Sequence, residues 1–211
     1  MSEFKRVLER VHAINPSASV VAVSKSVDTP ALKPLLGYGM LDYGENRVQE
    51  LSRKSGILGD KMGIRWHFIG RLQKNKINAL LALKPHLWQS CDSLDMALAV
   101  DKRLGYELNA LLQINAANEQ SKQGIDVMRA IDEYSAICEQ CKHLKLIGVM
   151  SIRAHSDDYE AIKSSFERTY KIFESLQNKG AKICSMGMSD DYELALKCGS
   201  NMLRLGRILF T

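Results

Sequence analysis

No apolar run in the 211 residues approaches the length of a membrane-spanning helix, and no apolar stretch follows the charged start between Met1 and Arg10. These absences exclude a membrane segment, remove the signature of a secretory leader and leave the cytoplasm as the expected compartment. A basic block is missing too. The 29 Lys and Arg exceed the 24 Asp and Glu only modestly and are spread along the chain, a balance that mildly favours phosphates and does not point to nucleic acid. The five cysteines are odd in number and irregularly spaced, which suits reduced thiols rather than a disulfide framework. No G-x-G-x-x-G and no G-x-x-x-x-G-K-[ST] follows a strand-like run, so nucleotide sites of those kinds lose their main support. What is present is ordinary for a globular protein, at 45% hydrophobic and 25% charged residues, and the length suits one well-cored domain over residues 1–211.

Short apolar runs recur at Ser19–Ser24, Met40–Tyr43, Arg65–Ile69, Leu87–Ser90, Leu108–Ile114, Leu144–Ile152, Lys182–Met186 and Asn201–Leu205. Each is too brief for a helix and apolar on both faces, as buried parallel strands are. Helical patterns lie between them. A leading helix covers roughly Glu3 to Ala13, Thr29-Pro30 opens a second that Gly37 or Gly39 closes, and Leu72–Leu83 forms another that Pro85 stops. Ser93 can cap the next, which ends at Gly105. Val127, Ile131, Tyr134, Cys138 and Cys141 form one apolar stripe, Ile162 to Phe173 a second, and a final helix follows Ser189-Asp190-Asp191 and ends at Gly199. Eight strands alternating with helices predict a (β/α)8 barrel near the lower end of that fold's size range, with a doubly wound open sheet as the alternative.

In such a barrel chemistry gathers at the C-terminal ends of the strands. Those ends carry Ser24-Lys25, Gly44-Glu45-Asn46, His67 with Gly70 beyond, Gly187-Met188-Ser189 and Arg204-Leu205-Gly206-Arg207. A lysine at the mouth of an apolar strand is either a snorkelling surface charge or a partly desolvated amine able to attack a carbonyl. Ser189 at a helix start and Gly206 in a tight turn supply what a phosphate monoester needs. The two together fit an aldehyde that carries a phosphate.

Five segments, Ala-Val-Ser-Lys (22–25), Tyr-Gly-Glu-Asn-Arg-Val-Gln-Glu (43–50), Trp-His-Phe-Ile-Gly-Arg-Leu-Gln-Lys-Asn-Lys (66–76), Ser-Met-Gly-Met-Ser-Asp-Asp (185–191) and Gly-Ser-Asn-Met-Leu-Arg-Leu-Gly-Arg (199–207), resemble in order and spacing the signatures of the pyridoxal phosphate homeostasis protein family. The resemblance implies a single α/β TIM barrel of fold-type III, like the N-terminal domain of alanine racemase, binding pyridoxal 5'-phosphate as an internal aldimine. It implies Lys25 as the Schiff-base lysine, Asn46 and His67 lining the ring, Ser189 with the backbone of Gly206 and Arg207 holding the phosphate, and Arg204 facing the pyridine nitrogen. It also implies a monomer that carries or stores the cofactor and hands it to apo-enzymes. Arg153 stands where the family commonly has a proline.

An arginine is a donor only and favours an unprotonated, weaker electron-sink ring, though alanine racemase shares that arrangement. A racemase also needs two groups on opposite faces of its substrate, and only Lys25 has a claim to be one of them. The expectation is therefore a cofactor-holding protein with no catalytic residue and no metal, against two alternatives: a small amino-acid racemase or decarboxylase-like enzyme, and a binding module for another phosphorylated ligand. Single residues have plainer readings: His67 as a core histidine, Trp66 and Phe68 as packing residues on the opposite face, Cys138 and Cys141 as structural, Asp157-Asp158 and Asp190-Asp191 as helix-start acids, Glu45 as a helix-start residue that orients a neighbour, and Arg71–Lys76 as a solvated face. His155 receives no role.

Overall fold

The computed structural model describes residues 3–59, 63–117, 123–154 and 156–210, so His155 lies outside the described residues. Among them the strands are β1 (Ser19–Val23), β2 (Asp42–Glu45), β3 (Arg65–Phe68), β4 (Leu87–Cys91), β5 (Leu108–Asn115), β6 (Ile125–Asp126), β7 (Leu144–Ser151), β8 (Ile183–Ser185) and β9 (Met202–Leu205). The order β4-β3-β2-β1-β9-β8-β7-β5 is closed by a further β4–β5 pairing, which makes an eight-stranded parallel barrel, and β6 adds a two-residue pairing on the end of β5. The open-sheet alternative is thereby removed. Around the barrel run α1 (Glu3–Ile14), α2 (Leu32–Gly37), α3 (Val48–Leu58), α4 (Ile77–Ala82), α5 (Leu94–Asp101), α6 (Ala130–Gln140), α7 (Tyr159–Leu176) and α8 (Tyr192–Lys197). No helix among the described residues is long and apolar enough to cross a membrane.

Strand alternation divides the buried residues into two layers. Val21, Leu87, Leu111, Met150 and Met202 pack inside the barrel. Val20, Ala22, Tyr43, Trp66, Phe68, Trp88 and Leu203 belong to the larger core shared with the helices, which bears out the packing reading of Trp66 and Phe68. Caps act where the sequence placed them: the Ser93 hydroxyl accepts from the Met96 N–H at 3.1 Å, and Asp158 accepts from Glu160 at 3.0 Å.

Four local expectations change. The second strand is Asp42–Glu45 rather than Met40–Tyr43, and α3, unmarked by an apolar stripe, follows it. Its buried positions are Val48, Leu51 and Lys54, so a lysine sits where a third apolar residue would reveal the helix. In α6 the buried residues are Ala130, Tyr134 and Ile137, followed by Cys141, whereas Ile131 and Cys138 are exposed. The two candidate stripes share Tyr134 and Cys141, and the Tyr134 hydroxyl donates to the Leu146 carbonyl at 2.9 Å, fixing the helix to β7. Asp190 and Asp191 precede α8 instead of forming its first turn. Asp191 turns back to accept from the Met188 N–H at 2.6 Å.

Candidate functional site

The same alternation that buries Val21 and Val23 inside the barrel carries the next inward position, Lys25, to the mouth. There its exposed side chain lines a cavity of about 620 Å³. Asn46, Ser189, Arg204, Gly206 and Arg207 line that cavity as well, so six of the seven residues singled out from the sequence converge on one place. The strand-end loops are tightly fitted. A Cβ on Gly70 would collide with the backbone carbonyl of Asn46, so the loop leaving β3 can approach the one leaving β2 only with glycine there. The Ser90 hydroxyl donates to the Gly70 carbonyl at 2.5 Å and accepts from Trp88 Nε1 at 3.0 Å, which pins that loop from below.

On the opposite side, Gly187 has φ +99° and a Cβ there would lie 2.6 Å from that of Ala195. Its carbonyl accepts from the Arg204 N–H at 3.0 Å. The Gly206 N–H donates to the Ser189 hydroxyl at 3.2 Å, so a hydroxyl and a backbone donor meet at one point of the wall, an arrangement suited to an anion. The Arg207 guanidinium turns outward and pairs with Asp190 at 2.8 Å. Arg153 lies 3.1 Å from Asp191 Oδ2 and donates to the Ser156 carbonyl at 2.8 Å, tying the loop after β7 to the Ser189 loop. Burial pushes the Asp191 carboxyl up, against the Met188 N–H and Arg153.

Arg204 is 5% exposed. It donates through Nη1 to the Ser185 carbonyl and hydroxyl at 2.8 and 2.7 Å, and through Nη2 to the Ser151 carbonyl at 2.7 Å. Burial lowers it to about 10, with Asp191 opposing, so it is a cation at neutral pH.

His67 departs from expectation. It is 1% exposed and is not among the residues lining the cavity. Its position on β3 falls a layer deeper, with Nε2 3.0 Å from Asp42 Oδ1 and Nδ1 2.9 Å from Gln89 Nε2, so the core-histidine reading describes it. Asp42 and His67 come together with His86, their ligand-type atoms within 4.8 Å of one another. Both Asp42 oxygens already accept from Arg65 at 2.7 and 2.5 Å, and both His67 nitrogens are engaged, so ion pairing and hydrogen bonding account for the cluster. Burial alone would raise the Asp42 carboxyl, but hydrogen bonds from His67 and Arg65 outweigh it and hold the group well below the usual carboxylate range.

A buried set of side chains outside the cavity lining supports the site. Behind Lys25, the Lys54 ammonium donates to Glu45 Oε1 and to the Ser24 carbonyl, both at 2.6 Å, and the Ser24 hydroxyl donates to the same Glu45 oxygen at 2.6 Å. Glu45 therefore does orient a neighbour, from a fully buried position in β2 rather than from a helix start. The available signal was the alternation itself: Gln89 on β4 and Ser185 on β8 are polar side chains at inward positions of apolar strands. Cys141 is buried and burial raises its thiol to about 11, as it raises that of the exposed Cys138, which leaves two poor nucleophiles.

The family model described as "Alanine racemase, N-terminal domain" matches residues 3–211. A curated relative from Helicobacter pylori, named pyridoxal phosphate homeostasis protein, is 50% identical over 194 residues, covering 90% of this chain and 86% of the relative. A human protein of the same name is 34% identical, covering 94% and 77%. The structure of PipY from Synechococcus elongatus with PLP bound superposes with a TM-score of 0.87 at 27% identity over 100% of both chains. An alanine racemase from Clostridium difficile shares the fold, with a TM-score of 0.79 at 16% identity, 98% of this chain spanning 56% of that one.

Proposed function

The chain belongs to the pyridoxal phosphate homeostasis protein family, and from that premise we propose that it holds pyridoxal 5'-phosphate on Lys25 and serves vitamin B6 balance as a carrier or reservoir of the cofactor. The observation that carries this reading is the convergence of Lys25, the Ser189–Gly206 donor pair and the Arg204 cation on one open cavity. The lysine amine adds to the aldehyde carbon and water leaves, giving a Schiff base. The Ser189 hydroxyl and the N–H groups of Gly206 and Arg207 take the phosphate, and Asn46 lies against the ring. Arg204, a donor only, would favour an unprotonated pyridine nitrogen on a ring held against it.

The lining supports a carrier over a racemase. Besides Lys25, the ionisable side chains among the described lining residues are three arginines and Asp190, and Asp190 is paired with Arg207. Proton abstraction and return on opposite faces need two positioned groups, and the described lining residues supply one. An accessible amine also suits exchange. Cytoplasmic apo-enzymes are the recipients in this reading, and the carrier acts as a monomer.

The test is reduction of the cofactor-loaded protein with borohydride followed by peptide mapping. The label is expected on the peptide that contains Lys25. A protein that gains no visible band with added pyridoxal phosphate, or a label on another lysine, sinks the reading. Ser189→Ala is expected to weaken retention of the cofactor by about 1–3 kcal/mol, the scale of a lost charge-assisted hydrogen bond. Equilibrium dialysis checks this, and unchanged retention would show that the phosphate sits elsewhere.

A further inference from the structure

A chain of hydrogen bonds crosses the inside of the barrel from the cavity floor to the opposite rim. Arg204 Nη1 donates to the Ser185 hydroxyl at 2.7 Å, and that hydroxyl donates to Gln89 Oε1 at 2.8 Å. The Gln89 amide nitrogen lies 2.9 Å from His67 Nδ1, and His67 Nε2 lies 3.0 Å from Asp42 Oδ1. Arg65, on the rim, also donates to Asp42. Gln89, Ser185, His67 and Arg204 are all buried.

The direction of every bond in the chain follows from its ends. An arginine only donates, so the Ser185 oxygen accepts and its hydrogen goes to the Gln89 carbonyl oxygen. The amide nitrogen then faces His67 as a donor, which leaves Nδ1 the acceptor and puts the ring proton on Nε2, pointed at a carboxylate. All donors run from a buried cation toward an anion, the arrangement in which successive bonds polarise one another. A proton on His67 Nδ1 would oppose the Gln89 amide and force it to flip, so each member constrains the next.

We propose that Gln89, Ser185 and His67 are positioning residues for the cavity: anchored on Asp42, they fix the orientation of the Arg204 guanidinium and through it the protonation of the ring nitrogen that faces it. The proposal rests on the cofactor reading above for the nature of that ring. Three inward strand positions are given to polar side chains linked to one another and to Arg204 and Asp42, with the Gln89 amide also donating to the Met202 sulfur at 3.4 Å, where Leu87 next to them contributes apolar packing. Such a set is costly inside a core unless fully satisfied, and this one is. The charged and titratable groups that face His67 are Asp42, Arg65 and His86; those that act on Arg204 are Asp191 and Cys184.

Two measurements test it. In protein with no cofactor added, ¹⁵N NMR of the histidine rings is expected to show His67 neutral with its proton on Nε2. Ser185→Ala, which removes a link two residues away along the chain, is expected to shift the His67 Nδ1 resonance. A His67 that samples both tautomers, or an Nδ1 signal unmoved by Ser185→Ala, overturns the chain whatever the cofactor does. In the loaded protein, Ser185→Ala and His67→Leu are expected to move the pH midpoint of the visible absorption band by about one unit, the effect of roughly one hydrogen bond's worth of differential stabilisation. His67→Asn, which keeps an acceptor for Gln89, should recover part of that shift. An unmoved midpoint with Lys25 still fully trapped by borohydride overturns the positioning role and leaves the cofactor reading intact. Absence of trapping in the unmutated protein is instead the failure of that reading, and the cofactor-free NMR then decides the chain alone.

Discussion

Lys25→Ala is expected to abolish borohydride-fixed cofactor completely and to remove the visible band of the Schiff base. Among the described lining residues the amine is the one group that can form a C=N bond with an aldehyde, since the remaining lining cations are arginines, which stay protonated and do not add to carbonyls. Weak binding is expected to survive, because the Ser189 hydroxyl and the Gly206 N–H do not depend on Lys25. Dialysis should therefore strip the variant of pyridoxal phosphate while leaving a competitive, phosphate-dependent affinity. Absorption spectra and mass spectrometry of the reduced protein check the first claim. Binding unchanged by the substitution would favour a module for some other phosphorylated ligand. Turnover of amino acids that disappears in Lys25→Ala would overturn the carrier and establish an enzyme.

Glu45→Ala is expected to be the most destabilising single change near the site, by about 3–5 kcal/mol, because it leaves the Lys54 ammonium buried without its counter-charge. Lys54 is 1% exposed and Glu45 0%, so water cannot replace the lost partner. The Ser24 hydroxyl would lose its acceptor at the same moment, and Ser24 immediately precedes Lys25. Thermal and urea unfolding measure the stability, and the fraction of Lys25 trapped by borohydride measures the aim of the lysine. The double variant Glu45→Met/Lys54→Met, which removes both charges and keeps the volume, is expected to recover most of the stability but not the trapping, since the Ser24 contacts are gone. If Glu45→Ala unfolds at the native midpoint, the pair does not hold this corner of the barrel.

These expectations separate what was legible along the chain from what was not. The lengths and spacing of the apolar runs made a (β/α)8 barrel the expected fold. Short segments such as Val20–Val23, apolar on both faces, read as parallel strands covered by helices, and eight of them suit a closed barrel; the β4–β5 pairing then excluded the open sheet. Period-two alternation then carried Lys25 to the mouth, and the five ordered motifs led to Ser189, Arg204 and Gly206 without coordinates.

Tertiary structure decided wherever a residue's environment contradicts its type. Glu45 read as a helix-start residue and Lys54 drew no reading, and each is buried because the other is; that one pairing hid both the end of β2 and the stripe of α3. In α6 two overlapping stripes were available, both containing Tyr134 and Cys141, and packing in the folded chain buried the one through Ala130 and Ile137. His67 belonged to the right motif but to a lower layer, because depth in a barrel depends on strand stagger, which no local pattern records. The relay from Arg204 to Asp42 joins residues 19 to 96 positions apart, and only closure of the sheet brings them within hydrogen-bond reach.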